Sequence, residues 1–225
     1  MQRHACPVCF ASKAGYCADC LLILETPAPQ QIRLPVKFDV VQHSETNARS
    51  TALHAAILAA ADVTVYRHAS KTSRRCSPLK LALPEYTAGP VVVLFPEGPH
   101  TPVIGHCPPF ERVVVLESNW RKARGLLQHP KLAGLPRVQL PPGSGTSQFS
   151  WRRGDGSFRG AVDEGLSSIE AIVQCCRLLA PNQCFDGLLR YFEHTKRRVE
   201  EQGLLPTSRQ EARAREQQQQ QEVGG

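Results

Sequence analysis

No apolar run in this 225-residue chain approaches the ~20 residues that a helix needs to cross a bilayer. The first residues also lack the apolar stretch of a secretory signal. Both absences predict a soluble intracellular protein, nuclear or cytoplasmic, with no membrane partner. Disulfides are not expected in that setting, so the nine cysteines read as metal ligands or buried thiols, and their odd number supports this. Acidic residues are in deficit: 20 Asp and Glu stand against 27 Lys and Arg, a formal net charge of +7. That balance favours a polyanionic partner, nucleic acid above all. The length excludes two large independent domains and suits one α/β domain with a small appendage.

Four of the cysteines form a pattern. Cys6-Pro7-Val8-Cys9 and Cys17-Ala18-Asp19-Cys20 are two C-x-x-C pairs separated by seven residues. Each pair presents two thiolates, and the short connection lets both pairs close on one tetrahedral Zn²⁺. Four thiolates leave no open coordination position, so the site is expected to be structural. A redox motif would come singly, inside a thioredoxin-like context.

The chain is organised around the stretch 113–124. Val113, Val114, Val115 and Leu116 read as a strand buried on both faces, as in a parallel sheet. Glu117 follows where the strand stops. Ser118 or Asn119 can cap a helix that places Trp120, Ala123, Leu126 and Leu127 on one face and Arg121, Lys122 and Arg124 on the other. Ligands of open α/β sheets bind beyond the carboxyl ends of the strands, so Glu117 to Trp120 occupy a site position. Packing of the helix against the sheet explains Trp120 without any function, whereas a carboxylate ending a buried strand must find partners.

Other elements flank this one. Val36, Phe38 and Val40 alternate as a first strand, followed by His43, Glu45 and an Ala-rich helix opened by Ser50-Thr51, with Leu53, Ala56, Ile57 and Ala60 facing inward. Such a strand-to-helix loop can bind a carboxylate or phosphate, although simple capping explains Ser50 and Thr51 equally well. Val63 and Val65 make a second strand. Val91 to Leu94 make a third apolar strand, closed by Phe95-Pro96, and Leu135 to Leu140 a short one. The cations Lys71, Arg74, Arg75 and Lys80 lie in a polar loop. Trp151 beside Arg152 and Arg153 suits stacking on an unpaired base, with ordinary packing as the competing account. Ser167 and Glu170 form a capping box ahead of a helix with Ile169, Ile172, Val173 and Cys176 on one face. A last helix is expected from about Asn182 to Gln202, then a Gln-rich tail with too little apolar content to order itself.

These residues also carry a family resemblance. Leu116-Glu117-Ser118-Asn119-Trp120 resembles the Asp-x-Thr-Trp motif of DTW-domain proteins, tRNA-uridine aminocarboxypropyltransferases that use S-adenosylmethionine; Glu117 stands in place of Asp and Asn119 in place of Thr. Gln42-His43-x-Glu45-Thr46, followed by Ser50-Thr51-Ala52-x-His54-Ala55, is similar to the first block of the eukaryotic members. Phe95-Pro96 is similar to a strand end of the family, Leu166-Ser167-Ser168-x-Glu170-Ala171 to its Leu-Ser-Thr-x-Glu-Ala block, and the four cysteines to its N-terminal module. The likeness runs in order over roughly residues 1 to 195.

The resemblance implies an α/β fold of SPOUT-like type, a mostly parallel sheet flanked by helices, open to a knotted chain path, with an N-terminal four-cysteine zinc module. It implies a zinc module over 1–26, a catalytic domain over 32–202 and a disordered tail over 203–225. It implies transfer of the 3-amino-3-carboxypropyl group of S-adenosylmethionine to N3 of a tRNA uridine, with release of methylthioadenosine. Glu117 and Trp120 would be catalytic. Leu116, Ser118, Asn119, Phe95, Pro96, Ser167, Ser168 and Glu170 would hold the cofactor. His43, Glu45, Ser50, Thr51, Trp151 and Arg152 would meet tRNA, and Cys6, Cys9, Cys17 and Cys20 would hold zinc. It assigns no oligomeric state. An RNA methyltransferase and a zinc-bearing RNA-binding protein without catalysis are the competing readings.

Overall fold

The computed structural model describes residues 2–43, 47, 50–68, 82–86, 90–118, 120–144, 147–148 and 166–201, with only the backbone at 120 and 121. Glu45, Asn119, Trp151, Arg152, the basic loop around Lys71 to Lys80 and the tail 203–225 therefore lie outside the described residues.

The cysteine-rich segment folds as two small hairpins. β1 (Arg3–Ala5) pairs antiparallel with β2 (Ser12–Ala14), and β3 (Tyr16–Cys17) with β4 (Leu22–Ile23). The residue after each C-x-x-C adopts a positive φ, 59° at Phe10 and 53° at Leu21. Left-handed backbone disfavours residues with a Cβ. Here it turns the chain sharply enough to point both thiols of a pair the same way, and Phe10 N–H donates back to the Cys6 carbonyl at 2.9 Å.

The main sheet contains β5 (Lys37–His43), β6 (Val63–His68), β7 (Val91–Leu94), β8 (Arg112–Glu117) and β9 (Arg137–Val138). Its spatial order is β6-β5-β8-β7-β9, and every pairing is parallel. β8 is central, as its unbroken apolar run requires, because both its faces must be covered. Alternation divides its residues between two cores. Val113 and Val115 join Phe38, Val40, Val65 and Val92 under α1 (Ala52–Leu58) and α4 (Ser168–Leu179). Val114 and Leu116 join Val41, Tyr66, Val93 and Phe95 under α2 (Trp120–Leu126) and α3 (Pro130–Ala133), where Ala123, Leu126, Leu127 and Leu132 pack. The result is a helix-sheet-helix sandwich.

Three expectations need correction. The last helix does not begin near Asn182: a 3-10 turn, Asp186–Leu189, precedes α5 (Arg190–Glu201), and Leu188 and Leu189 belong to that turn. The strand expected over 135–140 contracts to β9 at the sheet edge, because the flanking prolines cannot donate to a ladder. All seven residues of α1 are buried, not one face of it, and Ala60 is exposed beyond its end. The cysteine hairpins account for part of that burial. Tyr16 reaches His54 of α1 with its hydroxyl 2.9 Å from Nε2, and its ring packs on Tyr191 of α5 at 4.4 Å. Glu25 adds a second joint, accepting from Arg190 through both oxygens, at 3.0 and 2.7 Å, and from the Tyr191 hydroxyl at 2.9 Å.

Charge is buried where it is paired. Asp39 in β5 accepts from Arg112 of β8 at 2.6 Å and from the Tyr86 hydroxyl at 3.0 Å. Asp62, before β6, accepts from Leu34 N–H at 2.9 Å and pairs with Lys37 at 2.6 Å and Arg33 at 3.0 Å.

Candidate active site at the carboxyl edge of the sheet

The carboxyl ends of β5 and β8 lie side by side in the middle of the sheet, and their last register partners are Gln42 and Glu117. Parity along each strand puts both side chains on the α1 and α4 side, because Phe38 and Val40, and Val113 and Val115, already face that core. Both are buried, Gln42 at 1% and Glu117 at 5% exposure.

Two helix starts converge on this face. Thr51 precedes α1 without capping it; its Oγ1 instead accepts from Ile169 N–H in the first turn of α4, at 3.5 Å. α1 and α4 pack on each other, and α4 also packs on β8. Ser167 is the N-cap of α4, and Glu170 accepts from its N–H at 2.8 Å. The Ser167 hydroxyl faces the N3 amide in capping-box fashion without closing a hydrogen bond to it. Glu170 is fully engaged: it also accepts from the Ser147 hydroxyl at 2.7 Å and from Gln148 N–H at 2.8 Å. Its carboxylate therefore ties the 147–148 segment to the start of α4. Among the described residues, both polar atoms of the Gln42 amide and the hydroxyls of Ser50 and Ser167 are buried without a hydrogen-bond partner. Buried polar atoms are costly when unmatched, which makes these three side chains candidates for contacts to a polar ligand.

The other face of the same edge is different. His43, one residue beyond Gln42, stacks on His68 of β6 at 5.4 Å, and His68 meets His129 edge-on at 5.2 Å. Burial, then the neighbouring His129 and His43, lower the pKa of His68 below the ordinary histidine value. His129 is fixed as the N-cap of α3, its ring accepting from Lys131 N–H at 3.2 Å. Ser118 joins the strands by donating to the His43 carbonyl at 3.1 Å. Leu116 and Phe95 are buried in the α2-side core, and Pro96 is exposed just beyond β7. Trp120 opens α2.

His68 and His129 were absent from the residues singled out by sequence, and Gln42 stood in the first family-like block without a role of its own. Gln42 was legible through parity, two positions after Val40 on a core-facing row. His68 was hidden because β6 runs to His68, well past Val65.

The four sulfurs of Cys6, Cys9, Cys17 and Cys20 lie within 4.8 Å of one another, with Cys9 and Cys17 at 3.7 Å. Zinc–sulfur bonds of ~2.3 Å in a tetrahedron place sulfurs about 3.8 Å apart, so the four-thiol set fits zinc. Burial opposes ionisation of Cys6, but the N–H groups of Cys9 and Val8 outweigh it and bring its pKa down to about 7. Asp19, inside the second pair, accepts from Lys13 at 3.1 Å and from the Asn47 amide at 3.0 Å. Asn47 in turn accepts from Arg67 of β6, so the cysteine module holds a residue of the connection between β5 and α1.

No described helix is long and apolar enough to cross a membrane. The profile of the DTW domain matches residues 14–200. A tRNA-uridine aminocarboxypropyltransferase 1 from Xenopus laevis is 26% identical over 219 residues, covering 76% of this chain and 68% of that protein. The Rattus norvegicus protein of that name is also 26% identical over 219 residues, with 76% and 66% covered. The Xenopus tropicalis one is 41% identical over 70 residues, covering 29% of this chain and 24% of that protein. No solved structure matches. With a domain match over most of its length, the chain belongs to the DTW-domain family.

Proposed function

We propose that this protein transfers the 3-amino-3-carboxypropyl group of S-adenosylmethionine to N3 of a uridine in tRNA, and that the reaction takes place at the Gln42 and Glu117 edge. The observation that carries the reading is a buried carboxylate beside a buried amide that has no hydrogen-bond partner among the described residues, at the central strand ends near the start of α4. The names of the relatives support the substrate and the group transferred.

The donor set suits such a cofactor. Its amino-acid end needs hydrogen-bond donors and acceptors, which the Gln42 amide and the Ser50 and Ser167 hydroxyls supply beside the positive end of α4. Ser168 and Ser118 border that region, and Asn119 and Trp120 follow Ser118. When bound, S-adenosylmethionine supplies an electrophilic γ-carbon next to a sulfonium. Uridine N3 carries a proton that must leave as the N3–carbon bond forms and the carbon–sulfur bond breaks. Glu117 accepts or orients that proton, and its negative charge favours the neighbouring cation. The His43 and His68 stack offers a ring surface for the base, with Glu45, Thr51, Trp151 and Arg152 as further contacts to RNA. Zinc at Cys6, Cys9, Cys17 and Cys20 is structural.

The all-parallel sheet, with β5 and β8 meeting at its middle, supports a SPOUT-like reading of the fold, and a knotted chain path is part of that reading. The same reading divides the chain into a zinc module over 1–26 and a catalytic domain over 32–202.

Nucleoside mass spectrometry of tRNA incubated with protein and S-adenosylmethionine tests the function. The expected product is uridine enlarged by the aminocarboxypropyl group. A methyl adduct would make the protein a methyltransferase. Unmodified tRNA from a protein that binds RNA would make it a zinc-bearing binding module, a reading that the Glu117 and Asn119 departures from the family motif favour.

A further inference from the structure

Away from the strands that carry Glu117, a groove of about 360 Å³ runs between the first cysteine hairpin and α5, lined by Arg3, Ala14, His194, Arg197, Arg198 and Glu201. Three guanidiniums face one carboxylate among these described residues. Arg3 is held in place, donating from Nε to the Ser12 hydroxyl at 3.1 Å and from Nη2 to the Ser12 carbonyl at 2.6 Å, so β2 fixes the charge carried on β1. On the other wall, Nε2 of His194 is buried with no hydrogen-bond partner among the described residues. Arg197 and Arg198 are exposed and make no ion pair among the described residues.

Guanidiniums gathered around an unpartnered imidazole nitrogen are the chemistry that binds a phosphate oxygen. Arginine forks match phosphate geometry and are more weakly hydrated than lysine. α5 also connects this groove with the active edge. Lys196 donates to the Gln148 side chain at 3.1 Å, and Gln148 N–H is bound by Glu170 in the first turn of α4. A polyanion seated on α5 would therefore be held by the same helix that braces the start of α4.

We infer that the groove between β1, β2 and α5 is a docking site for the sugar-phosphate backbone of the RNA substrate, with Arg3, His194, Arg197 and Arg198 contacting phosphate. This rests on tRNA being the substrate and adds the surface that holds it. It also gives the zinc module a part in binding RNA, because the module carries one wall of the groove.

The test is fluorescence anisotropy of labelled tRNA over a salt series, with the wild type, the pair Arg197→Glu and Arg198→Glu, the pair Arg197→Lys and Arg198→Lys, and Arg3→Ala. Removing one cation from a phosphate flattens the log-affinity against log-salt slope by roughly 0.7 to 0.9. The glutamate pair is expected to weaken binding at least tenfold and to flatten the slope by about one or more. The lysine pair should keep the slope, Arg3→Ala should flatten it, and the calorimetric affinity for S-adenosylmethionine should be unchanged in all. If the glutamate pair fails to fold, Arg3→Ala decides alone. Unchanged affinity and slope in a protein that still modifies tRNA would overturn the groove and leave the function standing. A wild type with no affinity for tRNA would overturn both.

Discussion

Gln42 and Glu117 are lateral partners at the ends of two adjacent parallel strands, both buried and both turned toward the helix face where α4 begins. An amide and a carboxylate in that position add nothing to a hydrophobic core. Burying them is costly, and in the proposed function the bound donor and the uridine use them.

Replacing Glu117 with Gln keeps the shape of the side chain and removes its basicity. Transfer to tRNA should fall by about 10² or more, the usual contribution of a positioned general base. The unfolding midpoint should move little. Nucleoside mass spectrometry at saturating donor reads the rate, and full transfer activity in this variant would remove the proposed role.

The cysteine module is stitched to the sheet domain through Tyr16 and His54, Glu25 and Arg190, and Asp19 and Asn47. Tyr16→Phe should destabilise the whole chain by about 1 kcal/mol or more in urea unfolding, because the change leaves buried His54 without its hydroxyl partner. A zinc chelator should lower the melting temperature of the main domain as well as that of the module, and should weaken donor binding. A chelated protein that melts and binds as before would show that the two parts are independent.

Asp62 gives a pH signature. Burial raises its pKa, but the Lys37 ammonium, Leu34 N–H and Arg33 outweigh it, and the folded value lies below the ordinary one. Its contribution is therefore complete above the unfolded value, ~3.9, and is lost as pH falls toward the folded value. Urea unfolding at pH 7 and at pH 3 should show a drop that Asp62→Asn reduces. An equal drop in the variant would assign the acid lability to other groups.

Much of this was readable from residue patterns because the patterns are short and local. Val113 to Leu116 could only be a two-sided strand, and it is the central one. The two C-x-x-C pairs announced a four-sulfur cluster whose geometry follows directly. What escaped depends on contacts distant in sequence. No local signal tells that Tyr16 will reach His54 and help to cover α1, since the two residues are 38 positions apart. Glu170 read as half of a capping box, which it is, but its bonds to Ser147 and Gln148 come from 23 and 22 residues away. The three-histidine row needed the β5–β6 register, which puts His43 beside His68, before it existed at all.

The measurement that bears most directly on the site is calorimetric titration of S-adenosylmethionine into the wild type and into Gln42→Leu, together with the unfolding free energy of each. Leucine removes two buried polar atoms that have no hydrogen-bond partner among the described residues, so the variant without ligand should be more stable, by about 1–3 kcal/mol. It should also bind the donor at least tenfold more weakly. If the wild type gives no binding heat, or if the variant binds as tightly as the wild type, the donor does not lie against this pair of strand ends.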